Sequence, residues 1–130
     1  MRPTPEALAA VPLFGSLAED ERGRVSAWME TRSAVPGERL VSEGAAGYSF
    51  FVLLDGTADV TKNGEGLARL GPGDFFGELA LTGDGRRTAT VTATSPVTVA
   101  AMFGSQFRLL ERDYPETAQR IRRAVAERPS

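Results

Sequence analysis

The chain has 130 residues, of which 42% are hydrophobic and 25% are charged, and its formal net charge is −2. This length suits one hydrophobic core, and the charge provides no overall attraction for nucleic acid or an anionic membrane. Because the chain has no histidine and no cysteine, it lacks the commonest metal ligand, a histidine acid–base catalyst and all thiol chemistry. We therefore expect a single domain over residues 1–130 without a metal centre.

The first 30 residues are predicted to be a helical segment. Residues 18–30 carry acidic side chains in their first turn, and Leu17, Val25, Trp28 and Met29 are spaced to form an inward face. The start of the chain lacks the long apolar run of a secretory signal, and the longest apolar stretches elsewhere have the length of strands. These features indicate a cytoplasmic location.

Residues 31–103 are predicted to form a β-roll. Short β-branched and aromatic runs alternate there with four turn signals, Pro36-Gly37, Asp55-Gly56, Asn63-Gly64 and Pro72-Gly73. Asn63-Gly64, between residues 58–62 and 67–70, predicts a hairpin because both residues tolerate positive φ. The pattern favours a mainly β protein with flanking helices, built on an eight-stranded jelly roll.

Two further helices are predicted in residues 104–130. Gly104 and Ser105 are expected to end the strands, and residues 106–112 to form a short helix. Because proline suits the first helical turn and Asp113 can cap it, a second helix is expected from Pro115 or Glu116 to about Glu127.

The span from residue 71 to residue 93 contains the groups that a cyclic phosphate diester requires. A helix that starts near Gly77 would direct the free backbone N–H groups of Leu79 and Ala80 at an anion. Gly77 itself would allow close approach of the backbone.

Three side chains complete this candidate phosphate site. Arg87 can hold two phosphate oxygens with its planar fork, which a lysine cannot. Ionised Glu78 is a pure acceptor, so it suits a ribose 2′-hydroxyl and can also orient the arginine. Thr88 adds a hydroxyl that reaches the phosphate or a syn base, whereas Arg86 is interpreted as a solvated charge.

These residues resemble the phosphate-binding segment of cyclic nucleotide-binding domains, with Gly77-Glu-Leu-Ala80 followed by Arg87-Thr-Ala89-Thr-Val91. Residues 36–56 are similar to the early strands of the same family, so the resemblance covers nearly the whole chain. It implies that Val60, Ala68 and Leu70 lie near the base. For each of these three, an ordinary place in the core of the roll is the alternative.

The resemblance also implies that the last two helices are a hinge and a lid that closes over the base. Phe107, Leu109 and Leu110 would then repack between two states, and Ile121 or Val125 would face the roll. Residues 115–122 are similar to a run in bacterial channel-type members, which implies that Arg122 caps the purine. The alternative is that the basic residues of this segment form a solvated helical face, with Glu116 reaching Arg120; they are Arg120, Arg122, Arg123 and Arg128.

The expected function is a regulatory module that binds cAMP, with cGMP as a second candidate because Thr88 offers a hydroxyl to guanine. The alternative is a ligand-free β-roll for protein contacts, against which the presence of Glu78 and Arg87 argues. A metal-dependent cupin-type enzyme lacks its histidines, so we expect no catalytic residue and no cofactor. No output module follows the lid in this sequence; an excised sensor and a chain that acts through a partner protein both remain open.

Overall fold

The computed structural model describes residues 3–15, 17–41, 49–76 and 89–126. Four α-helices flank eight strands in these residues, and a 3-10 turn, Pro12–Phe14, follows the first helix. The helices are α1 (Pro5–Ala9), α2 (Glu19–Ala27), α3 (Gly104–Asp113) and α4 (Pro115–Ala126). The strands are β1 (Glu30–Ala34), β2 (Arg39–Val41), β3 (Ser49–Asp55), β4 (Ala58–Lys62), β5 (Glu65–Leu70), β6 (Phe75–Phe76), β7 (Thr90–Ala93) and β8 (Val97–Phe103).

The strands form two four-stranded antiparallel sheets, in the orders β1-β8-β3-β6 and β2-β7-β4-β5. Consecutive strands thus alternate between the sheets in several places, as in a jelly roll. The predicted fold class, a mainly β roll with flanking helices, is confirmed.

Strand β3 is buried on both faces, which explains its continuous apolar sequence. Phe51 and Leu53 point into the core between the two sheets, where the Phe51 ring stacks on Phe76 with centroids 5.0 Å apart. Phe50 and Val52 point the other way, into a second core beneath the helices. The helices from both ends of the chain therefore share one face of one sheet.

The predicted hairpin is confirmed, although its second strand begins at Glu65 rather than residue 67. Asn63 has φ 53° and Gly64 has φ 81°, so both turn residues adopt the left-handed conformation that a two-residue turn needs. Lys62 faces Glu65 across the turn.

Gly56 is required by its surroundings as well as by its φ of 88°. A Cβ atom there would overlap the carbonyl oxygen of Pro96 and lie 2.9 Å from the Cα of Val97. The turn after β3 therefore packs its backbone directly against the entry to β8.

The helices differ from the sequence prediction mainly at their ends. Helix α2 is shorter than residues 18–30, because β1 already begins at Glu30, and α1 was not placed by the sequence. Helix α3 begins at Gly104, so Gly104 and Ser105 end β8 as predicted but also open the helix. Among the described residues, no helix is both long and apolar enough to cross a membrane.

The predicted inward faces are largely confirmed. Leu17, Val25, Met29 and Ile121 are buried beneath the helices, and Trp28 packs against them partly buried. Phe107 and Leu110 are also buried, whereas Leu109 is 38% exposed. The side chains of Val125 and Arg128 lie outside the described residues.

Candidate functional site

The central part of the candidate phosphate site, residues 77–88, lies outside the described residues. Six predicted contacts fall within it: Gly77, Glu78, Leu79, Ala80, Arg87 and Thr88. Its flanks are described. The preceding strand β6 pairs with β3 in one sheet, and the following strand β7 pairs with β4 in the other.

The predicted base contacts occupy three different environments. Val60 is half-buried and lies opposite Ala68 on β5 and Val91 on β7, close to the half-buried Ala89 that precedes β7. Leu70 is 4% exposed and belongs to the core between the sheets. Ala68 is exposed. Val60 is therefore the described apolar residue best placed beside the strand that leaves residues 77–88.

The turn that leads into β6 is held by backbone hydrogen bonds to Leu53 and by contact with Pro12. Gly73 donates its backbone N–H to the carbonyl oxygen of Leu53 at 2.8 Å, and Leu53 N–H donates to the carbonyl oxygen of Asp74 at 2.8 Å. The Asp74 carboxylate accepts a bond from Gly71 N–H at 2.8 Å. A Cβ at Gly73 would lie 3.1 Å from Pro12 Cδ, so the N-terminal 3-10 turn packs against this turn.

Arg122 is held on the outside of the helical layer by two groups of α3. Its Nη2 atom lies 2.6 Å from Glu111 Oε2, and its guanidinium carbon lies 5.4 Å from the centroid of the Phe107 ring. The Arg122 side chain is 45% exposed. The guanidinium therefore already makes an ion pair and a cation–π contact, and stacking on a purine would require it to exchange at least part of these contacts.

A second polar cluster, which no local sequence pattern indicates, centres on Glu21 of α2. Its Oε1 accepts a bond from Ala18 N–H at 2.9 Å, and its Oε2 accepts one from the Thr117 hydroxyl at 2.8 Å. Arg120 Nη1 donates to Oε1 at 3.1 Å. The alternative interpretation of the sequence had Glu116 reaching Arg120 within the same helix; the structure shows an ion pair that joins Arg120 to Glu21 of α2. The one sequence feature that suggests a partner for Glu21 is Thr117, a hydroxyl residue near the start of α4.

The surroundings of Glu21 stabilise its charged form. The hydrogen bond from Ala18 is the largest of the influences that lower the pKa of Glu21; burial opposes it, and Thr117, Arg120 and Arg24 lower the pKa further. Arg24 also lies over the Tyr114 ring, with its guanidinium carbon 4.5 Å from the centroid. A cavity of about 520 Å³ adjoins this cluster, between α2 and the junction of α3 with α4.

The sequence model of the cyclic nucleotide-binding domain matches residues 31–114. This match covers all of the strands except Glu30, residues 77–88 and the whole of α3. The chain belongs to the cyclic nucleotide-binding domain family. The family resemblance inferred from Gly77-Glu-Leu-Ala80 and Arg87 is therefore confirmed, although the individual contacts remain predictions.

Three known proteins illustrate the range of this family. A cAMP-dependent protein kinase regulatory subunit of Hypocrea atroviridis is 42% identical over 103 residues, which are 79% of this chain and 22% of that protein. A cyclic nucleotide-gated potassium channel of Rhizobium etli is 31% identical over 121 residues, or 93% of this chain and 34% of that protein. The regulatory domain of Toxoplasma gondii PKA, crystallised with cAMP, has a TM-score of 0.78 at 25% identity and covers 95% of this chain and 49% of its own.

This chain is much shorter than its curated relatives, spanning about a fifth of the Hypocrea atroviridis protein and a third of the Rhizobium etli protein. The shared part is the cyclic nucleotide-binding domain.

Proposed function

We propose that this chain binds cAMP and passes the binding event to its C-terminal helices as a regulatory module. The observation that carries this proposal is the presence of Gly77-Glu-Leu-Ala80 and Arg87 inside the part of the chain that matches the family. The Toxoplasma gondii relative crystallised with cAMP supports the choice of ligand.

The six predicted contacts within residues 77–88 bind different parts of the nucleotide in this proposal. Arg87 pairs with the cyclic phosphate, and the backbone N–H groups of Leu79 and Ala80 donate to its oxygens, with Gly77 allowing close approach. Glu78 accepts the ribose 2′-hydroxyl and orients Arg87. Thr88 contributes a hydroxyl at the phosphate or at a syn base.

The base would then lie on the apolar side of this site. Val60, which lies opposite Val91 of β7, and Ala89, which immediately precedes β7, are both half-buried and would supply apolar surface. Leu70 would support the base site indirectly, because its side chain lies in the core between the sheets. Arg122 is the proposed cap of the purine, and its present ion pair with Glu111 sets part of the cost of that movement.

As a regulatory module, the chain would have no catalytic activity and would act as one domain over residues 1–130. We propose that it works in the cytoplasm and that a partner protein reads the position of α4. The low net charge of −2 supports a protein partner over nucleic acid or a membrane surface. cGMP is the second candidate ligand, since the Thr88 hydroxyl can meet a guanine amino group.

The test is calorimetric titration of cAMP and of cGMP into protein that has been unfolded and refolded to remove carried-over nucleotide. We expect cAMP to bind with a Kd of about micromolar or tighter, and cGMP to bind more weakly. Absence of heat with both ligands, on protein with intact far-UV circular dichroism, would favour a ligand-free interaction domain.

A further inference from the structure

We propose that Asn63 is a site of spontaneous deamidation in the folded protein, with Gly64 as the attacking residue and water as the co-reactant. Asn63 is the one asparagine of the chain, and a glycine follows it. Because glycine has no side chain, its backbone nitrogen can be approached more closely than that of any other residue. The structure places both residues in the turn between β4 and β5.

The reaction closes a five-membered ring within the turn. The Gly64 backbone nitrogen loses its proton and attacks Asn63 Cγ. A C–N bond forms there while the bond from Cγ to the side-chain nitrogen breaks, and ammonia leaves with the proton. Water then opens the cyclic imide. Hydrolysis at Cγ gives aspartate, whereas hydrolysis at the main-chain carbonyl carbon gives isoaspartate, in which the chain runs through Cβ and Cγ.

The turn leaves the attacking nitrogen accessible. Asn63 and Gly64 are both exposed, and they lie beyond the last pair of the ladder, Lys62 with Glu65. Among the described residues, the Gly64 N–H makes none of the backbone hydrogen bonds found in turns and loops. A Cβ placed on Gly64 would have no heavy atom within 4 Å, so the ring has space on that side of the turn.

The turn can also leave its present conformation at little cost, which ring closure requires. Asn63 has φ 53°, a left-handed conformation that is unfavourable for a residue with a Cβ, so rotation away from it relieves strain. The adjoining strand β5 lies at the edge of its sheet and is exposed from Glu65 to Arg69. Exposed segments of this kind open locally with a free energy near zero.

The two products affect the hairpin differently. Aspartate keeps the turn, because Asp-Gly suits the same two-residue geometry, and it adds one negative charge to the formal net charge of −2. Isoaspartate adds one carbon atom to the main chain of a turn whose length fixes the pairing of Lys62 with Glu65. That end of the ladder must therefore rearrange. Ala68 and Leu70, two predicted base contacts, lie on the same strand.

The test follows this turn by peptide mapping while the full chain is incubated at neutral pH and in mild alkali. Trypsin releases residues 63–69 as one peptide, because Lys62 precedes them and Arg69 ends them. Deamidation raises the mass of this peptide by the difference between an OH and an NH2 group. Liquid chromatography separates its aspartate and isoaspartate forms, with the Asn63→Asp protein as the standard for aspartate.

Two comparisons separate the proposed site from other chemistry. Asn63→Gln keeps an amide but would need a six-membered ring. The parent in guanidinium chloride gives the rate for an unfolded chain. Asp55-Gly56 and Asp84-Gly85 can close the same imide by losing water, but they release no ammonia and gain no mass after hydrolysis.

We expect the folded parent to deamidate at a rate within about ten-fold of the unfolded parent, because an exposed turn opens at little cost. The rate should rise with pH, since the attacking nitrogen must lose its proton. Folded Asn63→Gln should keep its mass over the same period. A folded parent that reacts more than about ten-fold more slowly than the unfolded parent would overturn the proposal. An equal mass gain in Asn63→Gln would do the same.

A second arm measures cAMP binding by the separated aspartate and isoaspartate proteins, and it rests on the proposed function. We expect weaker binding by the isoaspartate protein, because its longer turn disturbs the strand that carries Ala68 and Leu70. Equal affinities would show that the change at the turn does not reach these residues. A parent that gives no heat with cAMP would refute the proposed function, and the peptide masses would still decide the modification.

Discussion

The Thr117 hydroxyl donates to Glu21 Oε2 at 2.8 Å and thereby connects the last helix with the second. Both residues are buried, and Arg120 of the last helix donates to the same carboxylate at 3.1 Å. Charge at Glu21 is therefore expected to influence the stability of the whole helical layer.

The first prediction concerns acid. Since the folded protein lowers the pKa of Glu21 from its ordinary value of about 4.5, the carboxylate contributes stability above that value, and this contribution is lost as the pH falls through the lower folded pKa. The free energy of unfolding of the parent should exceed that of Glu21→Gln near neutral pH. The difference should shrink between about pH 6 and pH 3. Urea denaturation at each pH, followed by the fluorescence of Trp28, measures the free energy of unfolding of the parent and of Glu21→Gln; Trp28 is the one tryptophan.

Thr117→Val, which removes the hydroxyl that donates to Glu21, serves as the matched comparison for Glu21→Gln. It should lower the free energy of unfolding by about 1.5–3 kcal/mol at neutral pH, the range for hydrogen bonds to charged groups. A stability difference between parent and Glu21→Gln that stays constant with pH would contradict the lowered pKa.

The second prediction concerns the turn after β3. Gly56→Ala should destabilise the protein more than Gly37→Ala, although both glycines have φ near 90°. The left-handed conformation costs each alanine about 1–2 kcal/mol. At Gly56 the added methyl also overlaps Pro96 and Val97, whereas nothing lies within 4 Å at Gly37. Thermal denaturation of the two variants measures the difference, and equal losses would show that the Pro96 contact relaxes freely.

The third prediction concerns the proposed cap. Arg122→Ala should weaken cAMP binding by about ten-fold, the scale of a desolvated cation–π contact. Binding of cCMP, whose base is smaller, should weaken less. Arg123→Ala is the control, because Arg123 is the exposed neighbour on the same helix. Equal losses for Arg122→Ala and Arg123→Ala would indicate a general effect of charge instead of stacking.

The fourth prediction concerns the ribose. Glu78→Ala should weaken binding of cAMP more than binding of 2′-deoxy-cAMP, because alanine has no acceptor and only cAMP has the 2′-hydroxyl that donates to the carboxylate. A competition assay with a fluorescent nucleotide gives both affinities. If the two ligands lose affinity by the same factor, Glu78 has no part in recognition of the 2′-hydroxyl.

Local sequence patterns predicted the elements well, because their causes are local. Asn63-Gly64 permits positive φ, and Pro115 opens a helix, so the hairpin and α4 could be placed from the sequence. The predicted end of α2 was less accurate, because Glu30 pairs with Ala101 of β8 and therefore belongs to a strand. That partner is distant in sequence.

The side-chain partners of the helices could not be predicted in the same way. For Arg120, helical spacing suggested Glu116 as a neighbour, whereas the ion pair of Arg120 with Glu21 joins two helices that are distant in the sequence. Glu111 and Arg122 meet only because α3 and α4 fold back on each other. Such contacts depend on how elements pack, which local patterns do not specify. The roles proposed for Glu78 and Arg87 rest on motif and family alone.

The most direct measurement is therefore calorimetric titration of cAMP into three refolded proteins: the parent, Arg87→Ala and Arg86→Ala. We predict binding at about micromolar Kd or tighter in the parent, a loss of about a hundred-fold in Arg87→Ala, and a change of no more than a few-fold in Arg86→Ala. Equal affinities of the parent and Arg87→Ala would contradict the assigned phosphate contact. A folded parent that gives no heat with cAMP would contradict the proposed function itself.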